Sequence, residues 1–272
     1  MTSPSRYVHG THPEEQRRLA DLNALVNQAS LAALAPKRGE RALDVGSGLG
    51  QFARALARAT GTRVLAVERS GEQLARAEAL AEEAGEGELV EFRAGDALAL
   101  PLSPAEWGSF DLAHARFLLE HVPAPQDVVN GMARAVRSGG RVVLEDDDHE
   151  ALRLWPEPPG VMTVWRAYMR TYDRLGNDPI VGRRLVELLA NAGLSPRRIA
   201  MPQFGACAGE ATFPAYVANL VAIFVGARDA ILATGGVSRE AFEAALGAVR
   251  VWGERRDATF WFTVSWAEAE KP

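Results

Sequence analysis

Cysteine is nearly absent from this chain. Cys207 stands alone among 272 residues, so no intramolecular disulfide can form, and a reducing, cytoplasmic setting is expected. Lysine is almost as scarce: only Lys37 and Lys271 occur, and arginine supplies the other 28 of the 30 basic side chains. Beside so much alanine this reads as a coding bias, not as an arginine-rich recognition surface. Acidic side chains outnumber basic ones, 35 to 30, which argues against the basic stripe that nucleic-acid binding needs. Long apolar runs are missing too. No stretch approaches the ~18 residues of a membrane span, and the longest, Tyr216 to Val225, carries Asn219. The polar first seven residues have no apolar run behind them, so no secretory leader is expected. There is no internal repeat, low-complexity linker or compositional sign of disorder. What remains is a globular chain, 47% hydrophobic and long enough to bury a substantial core.

Patterning predicts an alternation of strands and helices. A helix is expected over Thr11 to Leu34, started by Pro13, Glu14 and Glu15 and carrying leucines at helical spacing. Strands follow at Arg41 to Val45, Arg63 to Glu68, Leu89 to Ala94, Phe110 to Ala115 and Arg141 to Glu145. Helices fall between them, after Gly50, over Gly71 to Ala84 and over Pro125 to Val136, with Ser138-Gly139-Gly140 as a turn. That rhythm implies a parallel sheet covered on both faces. After Glu145 it breaks. Asp146 to Pro159 is acidic and then proline-rich. Helices are expected over Val161 to Leu175, Ile180 to Ala192, Pro214 to Ala233 and Arg239 to Arg255, with strands at Ser195 to Pro202 and Thr259 to Trp266.

The strongest motif is Leu43-Asp44-Val45-Gly46-Ser47-Gly48-Leu49-Gly50, between the first strand and the helix behind it. Glycines there let the backbone turn sharply and let a ligand approach. The helix presents free N–H groups to an anionic or carboxylate-bearing ligand. Glu68 ends the second strand and Asp96 follows the third. Both sit at the carboxyl edge of the sheet, where open parallel sheets bind ligands and where a carboxylate can accept both ribose hydroxyls. Turn and helix capping would be the purely structural use of these acids. A nicotinamide or flavin dinucleotide site is the rival, but its third glycine would fall at position 51, which is Gln51.

The succession LDVGSGLG, VLAVERS, FRAGDA and FDLAHARFLLEHV resembles the class I S-adenosyl-L-methionine-dependent methyltransferases, those acting on small molecules. The resemblance covers about Pro36 to Asp148. It implies an α/β, Rossmann-like, doubly wound sheet of seven strands, mostly parallel with the last strand antiparallel, and a helical cap. It further implies that Gly46, Ser47, Gly48 and Gly50 bound the methionine portion, that Glu68 holds the ribose, and that Asp96 with Ala97 contacts the adenine, with Asp44 and Arg69 also among the cofactor-binding residues. Ala115 and Arg116 would line the sulfonium side, and the leader YVHGTHPEEQRRLADLN would fold over the cofactor with Tyr7. The domain organisation expected is one methyltransferase domain over 1–272. Its parts are an N-terminal helical lid at 1–35, a cofactor-binding core at 36–150 and substrate-cap segments at 151–180 and 205–255.

Methyl transfer from a sulfonium needs positioning and dryness more than a fixed set of catalytic groups. A base is required only where the accepting atom must lose a proton. His121, Asp147 and His149 are the candidates. His121 could accept a proton near neutral pH or simply end a helix. Among Asp146, Asp147, Asp148 and His149, a carboxylate pair could hold an amine substrate or act as base, or the group could be solvated turn residues with one helix cap. A divalent metal of the catechol-methyltransferase kind is a further option, but three consecutive residues of an extended segment alternate in direction, so no metal is expected. Trp165, Tyr168 and Tyr172 share one helical face, as core packing or as walls for an apolar acceptor. The partner expected is a small molecule, with neither nucleic acid nor membrane; the oligomeric state is open. Two other classes stay open: a cofactor-binding enzyme that cyclises or decarboxylates without methylating, and a non-catalytic binding subunit.

Overall fold

The computed structural model describes residues 26–272. Tyr7 and the first part of the expected N-terminal helix lie outside them; residues 26–34 form the described part of that helix, α1. Three strand–helix steps and one further strand follow. They are β1 (Ala42–Val45) with α2 (Gln51–Thr60), β2 (Val64–Glu68) with α3 (Gly71–Glu83), β3 (Val90–Ala94), and β4 (Phe110–Arg116) with α4 (Pro125–Ala135). The long β5 (Val136–Asp147) and the short β6 (Arg153–Trp155) come next, then α5 (Val161–Met169), α6 (Leu185–Asn191), β7 (Ser195–Ala200) and β8 (Gln203–Cys207). The helices α7 (Phe213–Gly226), α8 (Arg228–Ala233) and α9 (Arg239–Gly253) precede β9 (Thr259–Glu270).

Strands β3, β2, β1, β4 and β5 pair in that order, all parallel. The C-terminal half of β9 runs antiparallel between β5 and β7, completing the expected seven-stranded sheet with one reversed strand. Strand order reverses between β1 and β4, so a crevice opens outside their carboxyl ends. Alternation along the strands feeds two cores. Leu43, Val45, Ala113, Ala115, Val142 and Leu144 pack beneath α4 and α6, while Phe52, Leu56, Leu112, Val143 and Trp266 fill the other face.

A third core lies beyond the carboxyl edge. It joins Trp165, Tyr168, Phe204, Phe224, Phe242 and Trp252, from α5, β8, α7 and α9. The N-terminal half of β9 continues past the main sheet and pairs on one side with β6 and on the other with β8. Those two strands were not expected from sequence, because each is short and its partner lies far along the chain. Two expected helices are interrupted. Residues 161–175 contain α5 and a separate 3-10 turn at Asp173–Leu175, and α7 gives way to α8 around Ala227. The expected turn at Ser138-Gly139-Gly140 is instead part of β5, where the register against β4 shifts. Among the described residues, no helix is long and apolar enough to cross a membrane.

Gly50 has a packing function. It caps α2 with φ +69°, and a Cβ there would sit 2.5 Å from the Phe92 ring. Left-handed backbone and overpacking each cost an L-residue about 1–3 kcal/mol. The Gly50→Ala variant should therefore lose roughly 2–4 kcal/mol of stability, measured as a lowered denaturant midpoint at unchanged slope.

Candidate functional site

The turn after β1 is built from the backbone. Gly46 and Ser47 donate their N–H groups to the Val67 carbonyl at 2.8 and 3.1 Å, stitching the turn to β2. Gly46 and Gly48 hold φ of +74° and +55°, a region glycine enters without penalty. A Cβ at Gly46 would strike the Leu118 side chain at 2.9 Å. Ser47 Oγ is buried with no hydrogen-bond partner, an unsatisfied group inside a concave turn.

Glu68 closes the turn from the side. Its carboxylate accepts the Gly48 N–H at 3.0 Å on one oxygen and the Ser70 N–H at 2.7 Å on the other. A carboxylate offers about four acceptor positions, so two remain for vicinal hydroxyls. Asp96 accepts the Leu98 N–H on Oδ1 at 2.9 Å, which fixes it at the third strand end. Arg69 and Ala97 flank these acids along the same cavity.

Two residues assigned by resemblance lie elsewhere. Gly50 does not line the cavity and serves α2. Ala115 points into the core beneath α4, because strand alternation sends its neighbours His114 and Arg116 to the other face. His114, which sequence reasoning did not select, takes that place. Asp44 and His114 are register partners on adjacent strands, and His114 Nδ1 lies 2.8 Å from Asp44 Oδ1 in a buried pair. The Phe52 ring stacks on His114 at 4.5 Å, and the Arg116 guanidinium lies over Phe52 at 4.6 Å. Arg116 also donates to Asn27 Oδ1 and Ser30 Oγ at 2.7 and 3.1 Å. Ser30 Oγ in turn donates to the buried Glu145 at 2.7 Å, so α1 is tied to β4 and β5.

The cavity, about 890 Å³, runs from the glycine turn into a second chamber. There the loop after β4 and the end of β5 bring Glu120, His121, Asp147 and His149 together. His149 Nε2 lies 2.8 Å from Glu120 Oε2 and 3.6 Å from Asp147 Oδ2, and His121 Nε2 lies 3.3 Å from Glu120 Oε1. Trp165 and Tyr168 stack on the His149 ring at 5.2 and 5.6 Å, and Tyr172 meets it edge-on. The Trp165 indole N–H donates to the His149 carbonyl at 2.6 Å. Asp146 and Asp148 act on the backbone and surface instead. Asp146 accepts the N–H groups of Leu118 and Leu119 at 3.1 and 2.7 Å, pinning the loop that carries Glu120. Asp148 pairs with Arg183 at 2.7 Å.

Charge decides the roles within this cluster. Burial alone would favour neutral His149, but the facing carboxylates of Glu120 and Asp147 overcome it and raise the imidazole to about 10. Burial likewise opposes ionised Glu120, yet His121, His149 and a hydrogen bond from Tyr172 hold it well below the usual carboxylate range. Burial and the Glu120 charge push Asp147 up to about 6, against the opposing pull of His149. Burial, with Glu120 and Asp147 beside it, drives Asp146 well above its ordinary value. His149 is therefore a fixed cation at neutral pH, Glu120 its counterion, and Asp147 the group poised to exchange a proton. Glu120 was not selected from sequence; its neighbour in LEHV drew the attention, and only tertiary packing buries it.

The residues present fit S-adenosylmethionine. The orphaned Ser47 Oγ, the glycine backbone of positive φ and the spare acceptor positions of Glu68 and Asp96 match a ligand with an amino acid end, a ribose and a base. Glu120, Asp147 and His149 also offer ligand atoms within 4.8 Å of one another, a donor set that suits a divalent cation, although here the same atoms satisfy one another as an ion pair.

An unfolded histidine titrates near 6.5 and His149 near 10. The stabilisation it contributes is complete below pH 6.5 and is withdrawn as pH rises toward 10. The unfolding midpoint should fall across that window in the wild-type protein, and the fall should flatten in the His149→Gln variant, followed by thermal melts at several pH values.

The family described as "Methyltransferase domain" matches residues 43–144. The 27-O-demethylrifamycin SV methyltransferase of Amycolatopsis mediterranei is 32% identical over 153 residues, which is 56% of this chain and 53% of that protein. A ubiquinone biosynthesis O-methyltransferase of Paracidovorax citrulli is 40% identical over 138 residues, 50% of this chain and 56% of that protein. The chain thus spans about half the length of these curated relatives. The structure of a geranyl diphosphate C-methyltransferase from Streptomyces coelicolor A3(2), in complex with Mg2+, geranyl diphosphate and S-adenosyl-L-homocysteine, shares the fold. Its TM-score is 0.55 at 15% identity, over 96% of this chain and 85% of that one. Residues 43–144, which carry the glycine turn, Glu68 and Asp96 at three successive strand ends, thus match a methyltransferase domain.

Proposed function

We propose that the chain transfers the methyl group of S-adenosylmethionine to an oxygen of a small organic acceptor. The observation that carries this reading is a single cavity that opens at one end on the glycine turn, Glu68 and Asp96 and at the other on Asp147 and His149. The cofactor supplies an electrophilic methyl on a positively charged sulfur. Gly46, Ser47 and Gly48 receive its amino acid end, Glu68 its ribose and Asp96 with Ala97 its adenine; Arg69 edges the ribose side. Asp44 and His114 form the floor between the two chambers, with Arg116 at its margin. Asp147 takes the proton of the accepting hydroxyl, for which a carboxyl near 6 is suited at neutral pH. His149 and His121 line the acceptor's side.

Oxygen as the accepting atom is supported by the relatives named for O-methylation. The third core supports the assignment of 151–180 and 205–255 as a cap over a cofactor core at 36–150. A small-molecule acceptor, without nucleic acid, suits the enclosed aromatic chamber and the acidic balance. A cytoplasmic setting suits the exposed, unpaired Cys207.

Calorimetry with S-adenosylhomocysteine tests the cofactor part: binding is expected at one site per chain, and its absence would remove the reading. Replacement of Glu68 by alanine should weaken that binding roughly tenfold to a hundredfold, the worth of one or two hydrogen bonds to a charged group. Methyl-labelled cofactor, incubated with the protein and a small-metabolite extract, should pass label into an organic product. Label that stays on the cofactor in every fraction would contradict methylation.

A further inference from the structure

The chamber beyond the glycine turn holds two unsatisfied atoms of opposite hydrogen-bonding sense. His149 has a side chain only 5% exposed. Its Nε2 faces Glu120 and its Nδ1 has no hydrogen-bond partner. An imidazolium donates from both nitrogens, and a buried donor on a charged group is costly to leave unpaired. Asp147 Oδ1, two residues away, is likewise buried without a partner. Around them the cavity wall is apolar and ring-rich, with Phe204, Leu220, Ile223, Phe262 and the stacked pair Tyr216 and Phe260.

Resting on the methyl-transfer reading above, we propose that this chamber takes an apolar, ring-bearing acceptor with an acidic hydroxyl, a phenol or enol. Its oxygen is bound as the oxyanion by His149, which Glu120 keeps doubly protonated. Every charged or titratable group around His149 fits that ligand. Glu120, with His121 on its other oxygen, faces it from the loop after β4, Asp147 from β5, and Tyr168 and Tyr172 from α5 and the turn behind it, while Asp146 turns to the Leu118 and Leu119 amides. Glu120 is matched by His149, so one further negative charge is balanced when Asp147 takes up a proton. An ammonium group would meet two cations, the imidazolium and the cofactor's sulfonium, with Asp147 alone to offset them. An aliphatic hydroxyl, with a pKa of order 15 as for water, gives up its proton far too reluctantly for a carboxyl near 6. A phenol, at about 10 in solution, is brought within reach by the adjacent cation.

The step balances. The hydroxyl proton passes to Asp147, an oxygen lone pair forms the new O–C bond, and the C–S bond breaks with its electron pair returning to sulfur. A methyl ether and a neutral thioether result, and the proton on Asp147 is released to solvent afterwards. Glu120 acts through His149 and is a positioning residue.

The probe is 4-nitrophenol, whose anion absorbs in the visible, added to protein saturated with S-adenosylhomocysteine. Saturation is established first by calorimetry, so failure of the cofactor reading is seen separately. The wild-type protein should bind 4-nitrophenol as its anion, with its apparent pKa lowered by at least about one unit. It should bind it about tenfold or more tighter than 4-nitroaniline, which has the same shape and no acidic hydroxyl. His149→Phe should abolish both effects while keeping S-adenosylhomocysteine affinity, and His149→Gln should restore part of the affinity without the pKa shift. Glu120→Gln should reduce the pKa shift and return the His149 titration, followed by NMR, toward its ordinary range. Should these variants fail to fold, the comparison of 4-nitrophenol with 4-nitroaniline in the wild-type protein decides the matter. Equal binding of 4-nitrophenol and 4-nitroaniline, tighter binding of benzylamine, or an unshifted probe in the wild-type protein would overturn the inference while leaving cofactor binding intact.

Discussion

Parallel pairing of β1 to β5 is the constraint from which the rest of this molecule follows. It brings five carboxyl-terminal strand ends to one edge, and the reversal of strand order between β1 and β4 leaves a crevice there. Every side chain placed in the site hangs from that edge: the glycine turn after β1, Glu68 after β2, Asp96 after β3, Glu120 after β4 and Asp147 at the end of β5. The register is held by apolar alternation on both faces. Leu43 and Val45 face one core and Ala42 the other, and a slip by one residue would send Asp44 into the wrong layer.

The edge is divided electrically. Around Glu68 the groups are exposed enough to stay solvated and the work is done by hydrogen bonds of fixed direction. In the chamber beyond, burial is nearly complete, and each charge survives only because another opposes it. A buried ion pair contributes little net stability, but removing one partner costs about 3–5 kcal/mol because the other is stranded. Glu120 and His149 are therefore mutually obligatory. Asp146 underlies both, since its carboxylate holds the Leu118 and Leu119 amides that carry Glu120 into place. Gly182 serves the same region differently. A Cβ there would lie 2.7 Å from the carbonyls of Asp146 and Asp147, so only glycine lets that turn close on the end of β5.

The sheet and the cofactor edge were legible in the sequence because their signals are local. Short apolar strands, glycine spacing and an acid at each strand end are all read within a few residues. Other features are properties of packing. Gly50 looks like part of a ligand turn, yet Phe92, forty-two positions on, determines its role. Ala115 was assigned by resemblance, whereas the period of two in β4 already places it opposite His114 and Arg116. The short β6 and β8 exist only because the N-terminal half of β9 returns between them. Glu120 gave no signal beyond its position beside His121, since nothing in LEHV states that its carboxylate is buried against a histidine twenty-nine residues away. The aromatic spacing of Trp165, Tyr168 and Tyr172 was legible as a face, and the fold turns that face toward His149.

The central claim is that one continuous cavity joins a cofactor edge to an acceptor chamber. A crystal structure with S-adenosylhomocysteine tests it most directly. The ribose hydroxyls should lie on the Glu68 carboxylate, the adenine beside Asp96, and the sulfur should face the chamber that holds Asp147 and His149. A ligand bound with its ribose away from Glu68, or with its sulfur walled off from that chamber, would contradict it.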